Sequence, residues 1–158
     1  MHSQTAAHPA RIIIDGDACP VKAEALRVAE RHHVGVVIVS NGGLRPSRNP
    51  MVRYVVVPKS PDAADNWIAA NVRSADIVVT ADIPLAARAI KAGALALGPD
   101  GRAFTPDTIG MALAMRDLKR HLRETGVLEG SGRVFLSADR SRFLGELDRM
   151  VRRTIRNG

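Results

Sequence analysis

Residues 12–20 read IIIDGDACP and residues 78–84 read VVTADIP. In both, β-branched apolar residues run directly into aspartate, and a proline follows a few positions on. Neither run alternates apolar with polar, the pattern of a strand covered on both faces in a parallel sheet. Three more stretches share that character: VGVVIVS at 34–40, VRYVVVP at 52–58 and GALALG at 93–98. Five strands are therefore expected. Helical patterns lie between them at 20–32, opened by Pro20, at 62–73, opened by Asp62, and at 84–92, opened by Pro84 and closed by Gly93. Only the loop NGGLRPSRNP at 41–50 interrupts the alternation. Alternating strands and helices predict an α/β layered fold with right-handed crossovers and a ligand site beyond the carboxyl ends of the strands.

After Gly98 the pattern turns helical. TPDTIGMALAMRDLKRHLRETG at 105–126 has Thr105 as an expected cap, Pro106 in the first turn, a Met111, Met115, Leu118, Leu122 stripe expected to face inward, and Gly126 as stop. A last helix at about 139–156 is expected to turn Leu144, Leu147, Val151 and Ile155 inward and its arginines elsewhere. GVLEGSGRVFLS at 126–137 reads as a connector. The start, MHSQTAAHPA, lacks the charged beginning and apolar middle of a signal peptide and reads as a loose tail over 1–10, leaving 11–156 as one domain.

Composition agrees with a globular chain. Of 158 residues, 46% are hydrophobic and only 3% aromatic, so the core rests on aliphatic side chains and base stacking on many aromatics is excluded. No apolar run approaches the ~20 residues of a membrane span. The single cysteine, Cys19, rules out an internal disulfide and a Cys-rich zinc site, which points to a reducing compartment, the cytoplasm. Charge is unevenly spread: residues 1–100 hold 11 Lys/Arg against 9 Asp/Glu, residues 101–158 hold 12 against 7. The net +7 suits an anionic partner such as nucleic acid, though solubility alone accounts for many basic chains.

The acids sit where strands end. If the strands at 12–15 and 76–79 are parallel neighbours, Asp15, Asp17 and Asp82 emerge at one sheet edge. In PDAADNWIAANV, Asp65 shares a helix face with Ile68, Ala69 and Val72, so it too should look inward near that edge, with Asp62 one turn away as reserve ligand or cap. Clustered carboxylates raise one another's pKa unless protons or a cation neutralise them. Mg²⁺ or Mn²⁺ fits carboxylate oxygens, and such ions hydrolyse phosphodiesters. The plainer reading is that Asp17, Asp62, Asp65 and Asp82 cap helices. Capping explains neither Asp15 at a strand end nor an inward Asp65.

Around the acids, Thr80, Ser40 and Asn41 stand at strand ends and Lys22 could meet a phosphate; each is equally ordinary as a turn or surface residue. Arg116, Lys119, Arg120 and Arg123 form a basic row that could hold a nucleic-acid backbone or simply face solvent.

DGDACPVK, DAADNWI, VVTADIPLAARAIKAGALAL and MALAMRDLKRHLRETG closely resemble the bacterial YaiI/YqxD family, related to the PIN-like nucleases, over about 11–152. The resemblance implies a three-layer, Rossmann-like PIN domain with a mostly parallel sheet of about five strands, a helical C-terminal segment and a carboxylate-bound divalent cation. Asp15 matches the strand-end aspartate of PIN domains, Thr80 with Asp82 resembles their T-x-D element, and the acid of their middle helix falls on Asp65 or Asp62. Two departures touch the acidic loops: Gly16 stands in place of alanine and Asn66 in place of an acid. The expected activity is metal-dependent phosphodiester hydrolysis, on RNA before DNA, with Asp15, Asp17, Asp65 and Asp82 as ligands and no membrane partner. Two alternatives stay open. IIIDGDACP also resembles the D-x-D loop of haloacid dehalogenase-type phosphatases, with Asp15 as nucleophile and Ser40, Lys59 and Asp82 as helpers. Otherwise the chain is a non-catalytic basic nucleic-acid-binding module.

Overall fold

A computed structural model describes residues 9–43, 45, 47–127 and 134–157; most of the expected tail and the middle of the 126–137 connector lie outside the described residues. The triple isoleucine forms β1 (Arg11–Asp15), a 3₁₀ turn (Gly16–Ala18) follows, and the chain continues through α1 (Lys22–His32), β2 (Gly35–Ser40), β3 (Val52–Val56), α2 (Ala63–Asn71), β4 (Asp76–Val79), α3 (Ile83–Lys91) and β5 (Leu95–Leu97). A two-residue β6 (Ala103–Phe104), then α4 (Ile109–Glu124) and α5 (Ser137–Asn157), complete it.

The sheet order is β3-β2-β1-β4-β5-β6, parallel throughout except for β6, which pairs antiparallel with β5. The sixth strand was not expected: two residues are too short to leave an apolar pattern. Neighbouring side chains of one strand point to opposite faces. Ile12 and Ile14 thus enter one core with Val28, Phe143 and Leu147 from α1 and α5, while Ile13 enters the other with Ile68 and Leu85 from α2 and α3. Two helical layers on one sheet explain why the strand runs do not alternate: both faces are buried. The chain winds outward in both directions from the β1–β4 pair, and a crevice at that reversal is where open α/β sheets bind ligands.

Two helix starts differ from expectation, those of α1 and α4. Val21, not Pro20, precedes α1, and His33 closes it in the left-handed region at φ 54, a conformation seldom taken without glycine. Thr105 does not cap α4; its Oγ1 accepts from Thr108 N–H at 3.1 Å, while Thr108 Oγ1 accepts from Thr105 N–H at 3.1 Å, and the helix starts one turn later than expected. In α5 the inward residues are Phe143, Leu147, Met150 and Val151, with Leu144 half-buried and Ile155 exposed. The Met111, Met115, Leu118 stripe of α4 is also exposed, and α4 has no buried residue at all. Both sheet faces are already covered, so α4 lies outside the layers, against α3.

At the amino edge of the sheet, register places Arg11 beside Asp76. Arg11 Nε donates to Asp76 Oδ1 at 2.9 Å, and the other carboxylate oxygen accepts from Arg73 N–H at 2.7 Å, with the Asp76 side chain wholly buried. Among the described residues, no helix is long and apolar enough to cross a membrane.

Candidate active site at the carboxyl edge

The reversal between β1 and β4 opens at the carboxyl edge into a cleft of about 400 Å³ whose walls include Asp15, Asp17, Asp65, Thr80 and Asp82. Each acid arrives by a different route. Asp15 is the last residue of β1, and its Oδ2 accepts a 2.9 Å hydrogen bond from Thr80 Oγ1. The same Oγ1 accepts from Asp82 N–H at 2.9 Å, so one buried hydroxyl ties the two strand ends together. Asp82 is a true cap of α3, its Oδ1 accepting from Leu85 N–H at 3.0 Å. Asp65, on the first turn of α2, stands in the same cleft, near enough to feel the charges of Asp82 and Asp15.

The electrostatics follow from that placement. Burial raises Asp15 above the usual carboxylate range; the Thr80 hydrogen bond pulls it back, and the charges of Asp82 and Asp17 raise it again. Asp65 is pushed up to about 7, chiefly by burial, then by the charge of Asp82. Near neutrality Asp65 therefore holds its proton part of the time.

Asp17 lines the cleft but is turned outward by the 3₁₀ turn, where its Oδ1 accepts from Asn41 N–H at 3.0 Å. The turn lies close on β2: a Cβ at Gly16 would meet Ile38 Cγ2 at 2.9 Å and Val39 O at 3.0 Å. Asp62 is exposed, away from the cleft walls, and its side chain makes no capping bond to α2. Ser40 is buried behind the turn, accepting from Gly42 N–H at 3.2 Å, and neither it nor Asn41 lines the cleft. Lys22 is not free for a phosphate: its Nζ donates to Gly16 O at 2.7 Å and Cys19 O at 3.3 Å, bracing the acidic loop from behind. Lys59 is exposed beyond the cleft wall. Lys119, Arg120 and Arg123 are exposed on α4, and Arg116 is half-covered beside Asp117. The motifs did not single out Ser60, Pro61 and Pro99, which also wall the cleft. Cys19 does too, with burial pushing its thiol up, away from the reactive thiolate.

Among the described residues, no three carboxylate, histidine or cysteine side chains stand as a preformed metal cage. The fit to a divalent cation is one of donor chemistry: Asp15, Asp65 and Asp82 bring hard oxygen donors and negative charge to one cleft.

Compared with known proteins, the chain matches the family model described as "Uncharacterized BCR, YaiI/YqxD family" over residues 13–153, and it belongs to that family. It is 66% identical over 146 residues to a UPF0178 protein of Mesorhizobium japonicum, covering 92% of this chain and 94% of the relative. A UPF0178 protein of Parvibaculum lavamentivorans is 61% identical over 140 residues, covering 89% and 92%. One from Rhizobium meliloti is 59% identical over 145 residues, covering 92% and 99%. No solved structure matches the chain.

Proposed function

We propose that this chain is a cytoplasmic, divalent-cation-dependent phosphodiesterase of PIN-like type acting on nucleic acid, RNA before DNA. One observation carries the reading: three aspartates from β1, α2 and the β4–α3 junction wall one cleft at the sheet's reversal, where burial first and the charge of Asp82 second push Asp65 up to about 7. A fold gains no stability from such crowding, and perturbed acids in a cleft are a mark of function. Asp15, Asp65 and Asp82 would hold Mg²⁺ or Mn²⁺, with Asp17 at the rim and Asp62 in reserve. The cation, when bound, supplies positive charge to the scissile phosphate and makes water a better nucleophile.

The chain's own groups do the rest. Thr80 fixes the Asp15 carboxylate by donating to Oδ2, and Asp82 is fixed by its own N–H on Thr80 and by the α3 amide it accepts from. Asp65, raised to about 7 in the absence of an ion, would give up its proton to serve as the third oxygen donor. The basic row Arg116, Lys119, Arg120 and Arg123 supplies salt-sensitive backbone affinity. A phosphatase using Asp15 as nucleophile would want a cation against the phosphate, and neither Lys22 nor Lys59 lines the cleft.

The test is incubation of the full chain with single-stranded and structured RNA and DNA in Mn²⁺, Mg²⁺ or EDTA, beside a phosphomonoester. Chain cleavage that requires the metal and is lost in Asp15→Asn and Asp82→Asn supports the reading. Phosphate release without cleavage, or salt-sensitive binding with neither reaction, overturns it in favour of the phosphatase or the binding module.

A further inference from the structure

The sixteen residues of α4 form a helix none of whose side chains is buried. Its covered side carries the half-buried Ile109, Ala112, Leu113 and Arg116, and turns toward α3. Its most apolar side faces out: Met111 is 69% exposed, Met115 43% and Leu118 49%, and the half-buried Leu122 continues the line. The steps of four, three and four residues are those of a coiled-coil seam. Helices in proteins owe most of their stability to packing of such a face, and an exposed one marks an interaction surface.

We propose that this seam pairs α4 with the α4 of a second copy of the chain, antiparallel about a two-fold axis. The charge distribution selects the occupant and the direction. The amino half, IGMALAM at 109–115, carries no charge, whereas the carboxyl half, RDLKRHLRE at 116–124, holds Arg116, Lys119, Arg120 and Arg123 against Asp117 and Glu124. A parallel pair would stack the two basic halves. The antiparallel pair lays each basic half along the uncharged half of the other copy and opposes the helix dipoles. With the axis near residues 116 and 117, Met111 meets Leu122 of the second copy and Met115 meets Leu118. The flanking Lys119 and His121 then face Ala112 and Ala114, so no like charges meet across the seam. A polyanion would seek the basic row and leave the methionines bare; the apolar seam calls for its own kind. Four side chains with their flanks cover less than the ~800 Å² per partner of a standard interface, which makes this a reversible dimer.

Sedimentation of the full chain from about 1 to about 200 µM tests the pairing, because that range brackets a micromolar dissociation constant. The wild type should pass from monomer to dimer. Leu118→Glu, at a position exposed in the monomer, should raise the dissociation constant about tenfold or more with an unchanged circular dichroism spectrum. In a Cys19→Ser background, mild oxidation should cross-link Met111→Cys chains mixed with Leu122→Cys chains, and neither variant alone. A wild type that stays monomeric assigns the seam to another protein and overturns the proposal. So does a dimer indifferent to Leu118→Glu, or a Met111→Cys chain that cross-links to itself. No readout here depends on the cleft, so this proposal and the nuclease reading stand or fall separately.

Discussion

Thr80 Oγ1 donates a 2.9 Å hydrogen bond to Asp15 Oδ2 across 65 residues of chain, and the same oxygen accepts from the N–H of Asp82. This hydroxyl sits under the cleft, almost sealed from solvent. Thr80→Val leaves the Asp82 amide without its acceptor and Asp15 without its donor. The expected cost is about 1–3 kcal/mol in urea unfolding, with Thr80→Ser recovering most of it because Oγ remains. Equal losses in both variants would assign Thr80 a packing role only.

The proton on Asp65 sets a pH dependence. With its folded-state pKa raised to about 7 from the 3.8 of a free aspartate, the folded chain binds a proton the unfolded chain has released. Stability is therefore greatest below the unfolded pKa, falls as pH rises between these two values, and is level above the upper one. Asp65→Asn removes that loss. The variant should match the wild type near pH 4 and exceed it by about 1 kcal/mol near pH 8, the full linkage value being discounted for an acid partly open to water. Unfolding curves at the two pH values check it, and a gap that fails to widen counts against a raised Asp65.

A cation bound by Asp15, Asp65 and Asp82 must stabilise the folded chain. At a free Mn²⁺ concentration 100 times its dissociation constant, the gain should be about 2.7 kcal/mol, read as a rise in Tm. Asp15→Asn and Asp82→Asn should lose most of it. Because the ion competes with the proton on Asp65, the shift should shrink from about pH 8 to about pH 5. A metal response unchanged in both variants would place the ion elsewhere.

At the opposite edge, Asp76 holds Arg11 through a 2.9 Å contact in which its own side chain is fully buried. Asp76→Ala takes the carboxylate from a largely buried guanidinium, which keeps its 2.8 Å bond to Asn71 O, and should cost about 3 kcal/mol. Replacing both partners, Arg11→Met with Asp76→Leu, should restore much of that, as measured by denaturant midpoints. A double variant no better than the single one would mean that the Arg73 amide bond to Asp76 dominates.

The layers were legible because β-branched runs bounded by Pro, Gly and Asp are short-range signals. Ile12, Ile13 and Ile14 state in three residues that both faces of the sheet are covered. The convergence of Asp15, Asp65 and Asp82 was legible for the same reason: strand ends and a helix period fix where those acids emerge. Asp17 and Asp62 were not separable from them by pattern, since the outward turn of one and the exposed start of α2 for the other depend on local backbone geometry. The inward side of α4 was misread because periodicity reveals an apolar face without saying what meets it; the sheet faces were already taken. The Arg11–Asp76 pair did leave a signal. Both residues open strands that lie side by side, and aligning RIIID with DIVV pairs them.

α5 supplies Phe143, Leu147, Met150 and Val151 to the layer over Ile12 and Ile14. β1 therefore waits for α5 before the side of it that α1 only partly covers is fully shielded. Until residue 151 has been synthesised, part of a greasy surface stands open on an otherwise paired sheet, and a chain stopped between β6 and α5 has its strands in place but is prone to clump.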